Sequence, residues 1–212
     1  MELLVYYDNP NEASDMYLKW LTKDCEQEGI NIKLINDLTV LKEDLRDGFV
    51  PALALMPCKD ADTEAALKKL FTKHPREDVD NISGESFYKD ATAEGIFDYI
   101  VSQDPDRVAN ISVIGRGKVG KSLIDQLITY GYTVFEFNSK SEHEFMFNAI
   151  KDYSWYAVGL ASEQVFSKKE CDHLIFTKLI DSGNNFDTTE KVRCGKWTRK
   201  KIIERIKNYY ID

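Results

Sequence analysis

Short apolar runs and amphipathic stretches take turns along the chain. Residues 2–7, ELLVYY, read as a buried strand. Residues 12–29 carry helical periodicity, with Met16, Trp20, Leu21 and Cys25 on the apolar face and Gly29 at the C′ position. Residues 31–36 alternate as a strand, and 38–48 read as a helix closed by Gly48. A strand between prolines follows at 50–57, then helices at 62–73 and 92–103. A second series opens with a strand at 110–115 and a helix from Lys118 to Gly131. It continues with strands at 132–138, 154–160 and 173–183, helices at 141–152 and 167–172, and a basic closing helix at 198–210.

Strands that alternate with helices form parallel sheets covered on both faces. The fold class is therefore α/β. The polar, proline-containing stretch SQDPDRVAN (102–110) reads as the hinge between two series. This predicts an α/β domain at 1–105, a Rossmann-like domain at 106–190, and a C-terminal helix within 191–212 that packs back on the first domain.

Charge and composition narrow the partners. A net charge of −8 argues against nucleic acid as the main partner, because neutralising phosphates needs a positive surface. The longest apolar runs are too short to span a bilayer, so no membrane partner is expected, and MELLVYYDNP lacks the pattern of a signal peptide. Cys25, Cys58, Cys171 and Cys194 lie far apart and form no metal-ligand cluster with the three histidines. Reduced thiols in a cytoplasmic protein are the expectation.

Candidate chemistry concentrates in ISVIGRGKVGKSLIDQL (111–127), which satisfies two phosphate-binding patterns at once. Gly115, Gly120, Lys121 and Ser122 spell the mononucleotide P-loop, with Lys121 for the terminal phosphates, Ser122 for magnesium and Asp181 on another strand to hold that metal. Gly115, Gly117 and Gly120 spell the dinucleotide fingerprint: a tight bend, close approach of the pyrophosphate, and close packing of helix on strand. That pattern also wants a ribose reader at the end of the next strand, where Glu136 to Asn138 fall. Arg116, Ser139 and Lys140 are suited to a 2′-phosphate, which favours NADP; a carboxylate at Glu136 facing the ribose favours NAD. The reader position favours the dinucleotide pattern over the P-loop.

Beyond this loop, the order of motifs resembles the bifunctional methylenetetrahydrofolate dehydrogenase/cyclohydrolase family. The resemblance is carried by DNP (8–10), YLKWLTKDCEQEGI (17–30), HPREDVDN (74–81), ATAEGIFDYI (91–100), VIGRGKVGKS (113–122), YAVGL (156–160), LIDSGNN (179–185) and GKWTRKKIIERI (195–206). It implies two α/β lobes around a cleft, with a reduced folate bound near Tyr17 and Asp80 and NADP or NAD on the second lobe. It also implies hydride transfer without a metal, and a homodimer. Tyr17 corresponds to the tyrosine that stacks on the folate, and Asp80 to the aspartate that grips the pterin. The cofactor residues implied are Gly115, Arg116, Gly117, Lys118, Val119, Gly120, Asn138, Ser139, Lys140, Val158 and Gly159.

Three departures stand out. The family's catalytic lysine falls on Leu21, and Lys19 and Lys23 are displaced from it by about 200° of helical rotation, which leaves Lys23 a weak substitute. The glutamine that positions that lysine is replaced by Ala54, and the glycine-rich turn before the last helix is reduced to RCGK (193–196). Cyclohydrolase activity is expected to be weak or absent. The readings that follow are a dehydrogenase, a binding homologue without turnover, or a P-loop nucleotide-binding protein.

Overall fold

The computed structural model describes residues 1–211, apart from the side chain of residue 47. The chain divides into two compact units, Met1–Ala91 together with the chain from Arg199 onward, and Thr92–Thr198.

The first unit is built on a parallel sheet of β1 (Glu2–Tyr6), β2 (Asn31–Ile35) and β3 (Ala52–Ala54), in the order β2-β1-β3. Alternate side chains of β1 serve opposite faces. Leu4 and Tyr6 pack with Leu41 and Leu45 of α2 (Leu38–Asp47) and with Leu67 and Phe71 of α3 (Ala61–Thr72). Leu3 and Val5 pack with Leu21 and Cys25 of α1 (Glu12–Gln27) and with Ile202 and Ile206 of the C-terminal helix (Gly195–Tyr209). Asn11, Asp37 and Asp60 cap α1, α2 and α3, each accepting a bond from an amide N–H in the helix's first turn. The buried stripe of α1 runs through Ser14, Leu21 and Cys25, with Tyr17 and Leu18 packed on its flank. Met16 and Trp20, expected on the apolar face, are 55% and 45% exposed, because they sit about 100° of rotation or more away from Leu21.

In the second unit every strand pairing is parallel. Its elements are α4 (Ala91–Gln103), β4 (Asn110–Ile114), α5 (Lys118–Tyr130), β5 (Thr133–Phe137), α6 (His143–Tyr153), β6 (Tyr156–Gly159), α7 (Lys168–Cys171), β7 (Lys178–Asp181), β8 (Val192–Arg193) and the start of α8, the C-terminal helix. The sheet order β5-β4-β6-β7-β8 puts the first strand beside the second on one side and the third on the other, the doubly wound arrangement with its switch point at β4. Ile111 and Val113 pack with α4 and α5 through Ile96, Ile100, Leu123 and Leu127. Ile114 and Phe137 pack with Met146 and Ile150 of α6.

The stretch 102–110 is a turn inside this second unit: the Asp104 carboxylate accepts from the Ala109 N–H at 2.9 Å, and the Tyr132 hydroxyl donates to the Asp104 carbonyl at 2.6 Å. The change of unit falls at Ala91–Thr92, because α4 places its apolar face on the β4 side. The strand expected at 173–183 is four residues long, and the apolar Ile175 and Phe176 before it are exposed at a turn. Among the described residues no helix is long and apolar enough to cross a membrane, and no cluster of His, Cys, Asp and Glu gathers to hold a metal.

Candidate functional site

The carboxyl ends of three parallel strands meet at Gly115. Its N–H donates to the Phe137 carbonyl at 2.9 Å, the Leu160 N–H donates to the Ile114 carbonyl at 2.8 Å, and Ile114 lies in register with Gly159. Gly115 has φ +108°, and a β-carbon there would stand 2.8 Å from the Leu160 carbonyl. Gly120 sits in the first turn of α5, where a β-carbon would lie 1.9 Å from the Gly115 carbonyl oxygen. Gly117 is different: it caps α5 without a side-chain bond, and a β-carbon there would meet nothing within 4 Å. The three glycines thus meet three different steric demands: one makes the bend, one allows close packing of helix on strand, and one leaves open space above the helix.

That helix start suits an anion. The Lys121 N–H bonds the Gly117 carbonyl at 3.0 Å, so the N–H groups of Lys118, Val119 and Gly120 precede the helical ladder and carry the positive end of the macrodipole. The P-loop pattern fits poorly. Lys121 and Ser122 are the fourth and fifth residues of α5, past the turn where a P-loop places them. Asp181, the proposed magnesium ligand, is fully buried. It pairs with Lys191 at 2.7 Å and accepts backbone bonds from Gly183, Asn185 and Phe186.

At the end of β5, Glu136 lies in register with Val113 and forms an ion pair with Arg116, Nε to Oε2 3.2 Å. Asn138 shapes the turn beyond, its side chain accepting from the Lys140 N–H at 2.8 Å while its own N–H donates to Ser141 Oγ at 3.0 Å. Ser139 and Lys140 are exposed on that turn. Val158 differs from the expectation of a cofactor wall: it is fully buried in the core, because its position in β6 faces α5. Gly159 is buried too, its missing β-carbon leaving room for the Asn185 side chain at 2.6 Å. The Asn185 amide in turn donates to the carbonyls of Ala161 at 2.8 Å and Glu163 at 2.6 Å, a support the sequence pattern gave no sign of.

The remaining candidates lie in the first unit. Tyr17 is half-buried against the cluster that also holds Leu21 and Val79, so the structure brings it to the same cluster as the residue preceding Asp80. Asp80 is partly exposed. Its neighbour Asp78 is fully buried and organises the loop, accepting from the Ile82 N–H at 2.7 Å, the Ser83 N–H at 2.9 Å and the Ser83 hydroxyl at 2.7 Å. Leu21 is fully buried and Ala54 is 3% exposed, both in apolar clusters. One turn on from Leu21, burial, with a smaller contribution from Asp24, pushes the Cys25 thiol up to about 12. Lys19 and Lys23 point away as exposed residues, and the Lys23 ammonium lies over the Trp20 ring at 5.4 Å. Neither lysine therefore shares the buried face of α1 that carries Leu21.

These features define an α/β protein with two parallel-sheet units, the second Rossmann-like. The fold is that of methylenetetrahydrofolate dehydrogenases, in keeping with the resemblance seen in the sequence. The NAD-dependent 5,10-methylenetetrahydrofolate dehydrogenase of Saccharomyces cerevisiae superposes with a TM-score of 0.74 at 15% identity, covering 99% of this chain and 86% of that one. The Trypanosoma brucei methylenetetrahydrofolate dehydrogenase-cyclohydrolase, solved with NADP and an inhibitor, gives 0.73 at 14% identity over 99% and 86%. The bifunctional enzyme of Thermoplasma acidophilum gives 0.69 at 15% identity over 100% and 90%. At such identities the likeness is one of fold. No family model matches the chain, and no curated protein matches it in sequence.

Proposed function

We propose that this chain is a nicotinamide-dinucleotide-dependent oxidoreductase of the methylenetetrahydrofolate dehydrogenase type, with the hydrolytic activity of the bifunctional enzymes lost. The observation that carries the reading is the glycine loop: Gly115 at positive φ, Gly120 against the Gly115 carbonyl, and Gly117 facing open space. The residues present fit a dinucleotide. The N–H groups of Lys118, Val119 and Gly120 would receive the pyrophosphate, and Glu136 to Lys140 would read the adenosine ribose. When bound, that cofactor would supply the hydride acceptor for the methylene carbon of the folate. The protein's own share is binding and orientation, which demands no ionisable group at Leu21. Tyr17 supplies an aromatic face and Asp80 a carboxylate able to accept from a planar heterocycle.

Burial of Leu21 supports the loss of ring hydrolysis, because that step needs a proton carrier and leucine has none. It also supports a second reading, a homologue that binds cofactor and folate without turnover. Absorbance at 340 nm with methylenetetrahydrofolate and either NAD or NADP tests the two: growth means dehydrogenase, and binding by calorimetry without growth means binder. Methenyltetrahydrofolate hydrolysis above the uncatalysed rate would contradict the loss.

A further inference from the structure

The dinucleotide reading leaves the choice between the two nicotinamide cofactors open, and one ion pair bears on it. We propose that the Arg116–Glu136 pair makes the second unit selective for the dinucleotide with a free adenosine 2′-hydroxyl, NAD, over the 2′-phosphorylated form. This rests on the dinucleotide reading above.

Glu136 lies about twenty residues beyond Gly115, at the strand end where such folds read the ribose. It is in register with Val113, whose side chain packs on the α5 side, so Glu136 emerges on the face that carries the loop. Its contact with Arg116, 3.2 Å from Nε to Oε2, bridges the loop and the second strand. A carboxylate there accepts from a ribose hydroxyl. It repels a 2′-phosphate, which brings a charge near −2. The cation best placed to receive that phosphate, Arg116, is already held by the carboxylate. Other exposed cations on these two segments are Lys118 at the start of α5, Lys121 one turn further on, and Lys140, whose backbone N–H is tied to Asn138. They favour the pyrophosphate that the two cofactors share. The Arg116 and Glu136 side chains are 50% and 30% exposed, so solvent screens them and the outcome is a preference, not an exclusion.

Calorimetric titration of the full chain with NAD and with NADP tests this. The wild type is expected to bind NAD at least tenfold more tightly. Glu136→Gln is expected to raise NADP affinity at least tenfold by freeing Arg116, and the double variant Glu136→Gln/Arg116→Ala to lose that gain. Both positions are partly exposed, and an unchanged circular dichroism spectrum checks that the variants fold. Equal or tighter binding of NADP by the wild type overturns the proposal while leaving the dinucleotide reading intact. So does a Glu136→Gln ratio equal to the wild type's. Failure of both cofactors to bind overturns the dinucleotide reading itself, and the proposal with it.

Discussion

Two alanine substitutions in one loop should separate stability from binding. At Gly120 the added methyl carbon starts 1.9 Å from the Gly115 carbonyl oxygen, where contacts under 3.0 Å are essentially never seen. Backbone cannot rotate out of the way as a side chain can, so α5 must move by about 1 Å off β4, loosening Leu123 and Leu127 from the core. Overpacking of this kind costs about 3 kcal/mol. Replacing glycine by alanine inside a helix returns about 1 kcal/mol. The net loss is about 2 kcal/mol, or a fall in melting temperature of about 4–8 °C. At Gly117 the same methyl meets nothing within 4 Å, and the residue is extended at the N-cap. The cost there is about 0.5 kcal/mol, a shift of about 1–2 °C. Binding should reverse the order of interest: the Gly117→Ala methyl fills the space a pyrophosphate needs, weakening dinucleotide affinity at least about tenfold, or 1.4 kcal/mol. Thermal unfolding and calorimetry on both variants measure the two effects. If Gly117→Ala binds NAD and NADP as the wild type does, no pyrophosphate approaches that helix end, and the placement of the cofactor on this loop fails.

Other variants probe the interior. Leu21→Lys places an ammonium in a fully buried apolar cluster, a loss of about 3–5 kcal/mol at neutral pH. Burial lowers a lysine's pKa, so the unfolded chain binds more protons and the variant's stability should rise with pH; equal urea midpoints at pH 6 and pH 9 would contradict this. Lys191→Met leaves the Asp181 carboxylate buried without its 2.7 Å partner, a loss of about 3–5 kcal/mol by calorimetry, most of which the double variant Lys191→Met/Asp181→Asn should recover. The Ser167 hydroxyl first, and His143 second, hold the Glu170 carboxyl at about 2, below its ordinary 4.5. Its contribution of about 1 kcal/mol, discounted for partial exposure, is fully present above pH 4.5 and lost as pH falls from there to 2. Glu170→Gln should flatten that slope in acid denaturation.

Local features proved the most legible in the sequence. Period, caps and the three glycines depend on a few neighbouring residues, and nearly every helix and strand falls where its pattern predicts. Features set by the sheet were hidden. The apolar face of α4 says that it packs, not on which sheet, so the unit boundary lies in no local pattern. The Arg116–Glu136 pair joins residues twenty apart through the parallel register of β4 and β5. β8 is two residues long, too short for any periodicity to announce.

Leu21 shows why a motif must be read against the face it occupies. The spacing from Tyr17 puts it one turn along α1, on the side that meets β1. A lysine there serves chemistry only where its ammonium finds water, a substrate or a carboxylate. In this chain the same face meets the apolar side chains of Leu3, Val5, Ile202 and Ile206. Ala54 lies buried on the opposite face of the sheet, among apolar side chains as well. A lysine at position 21 would therefore place its ammonium among apolar side chains.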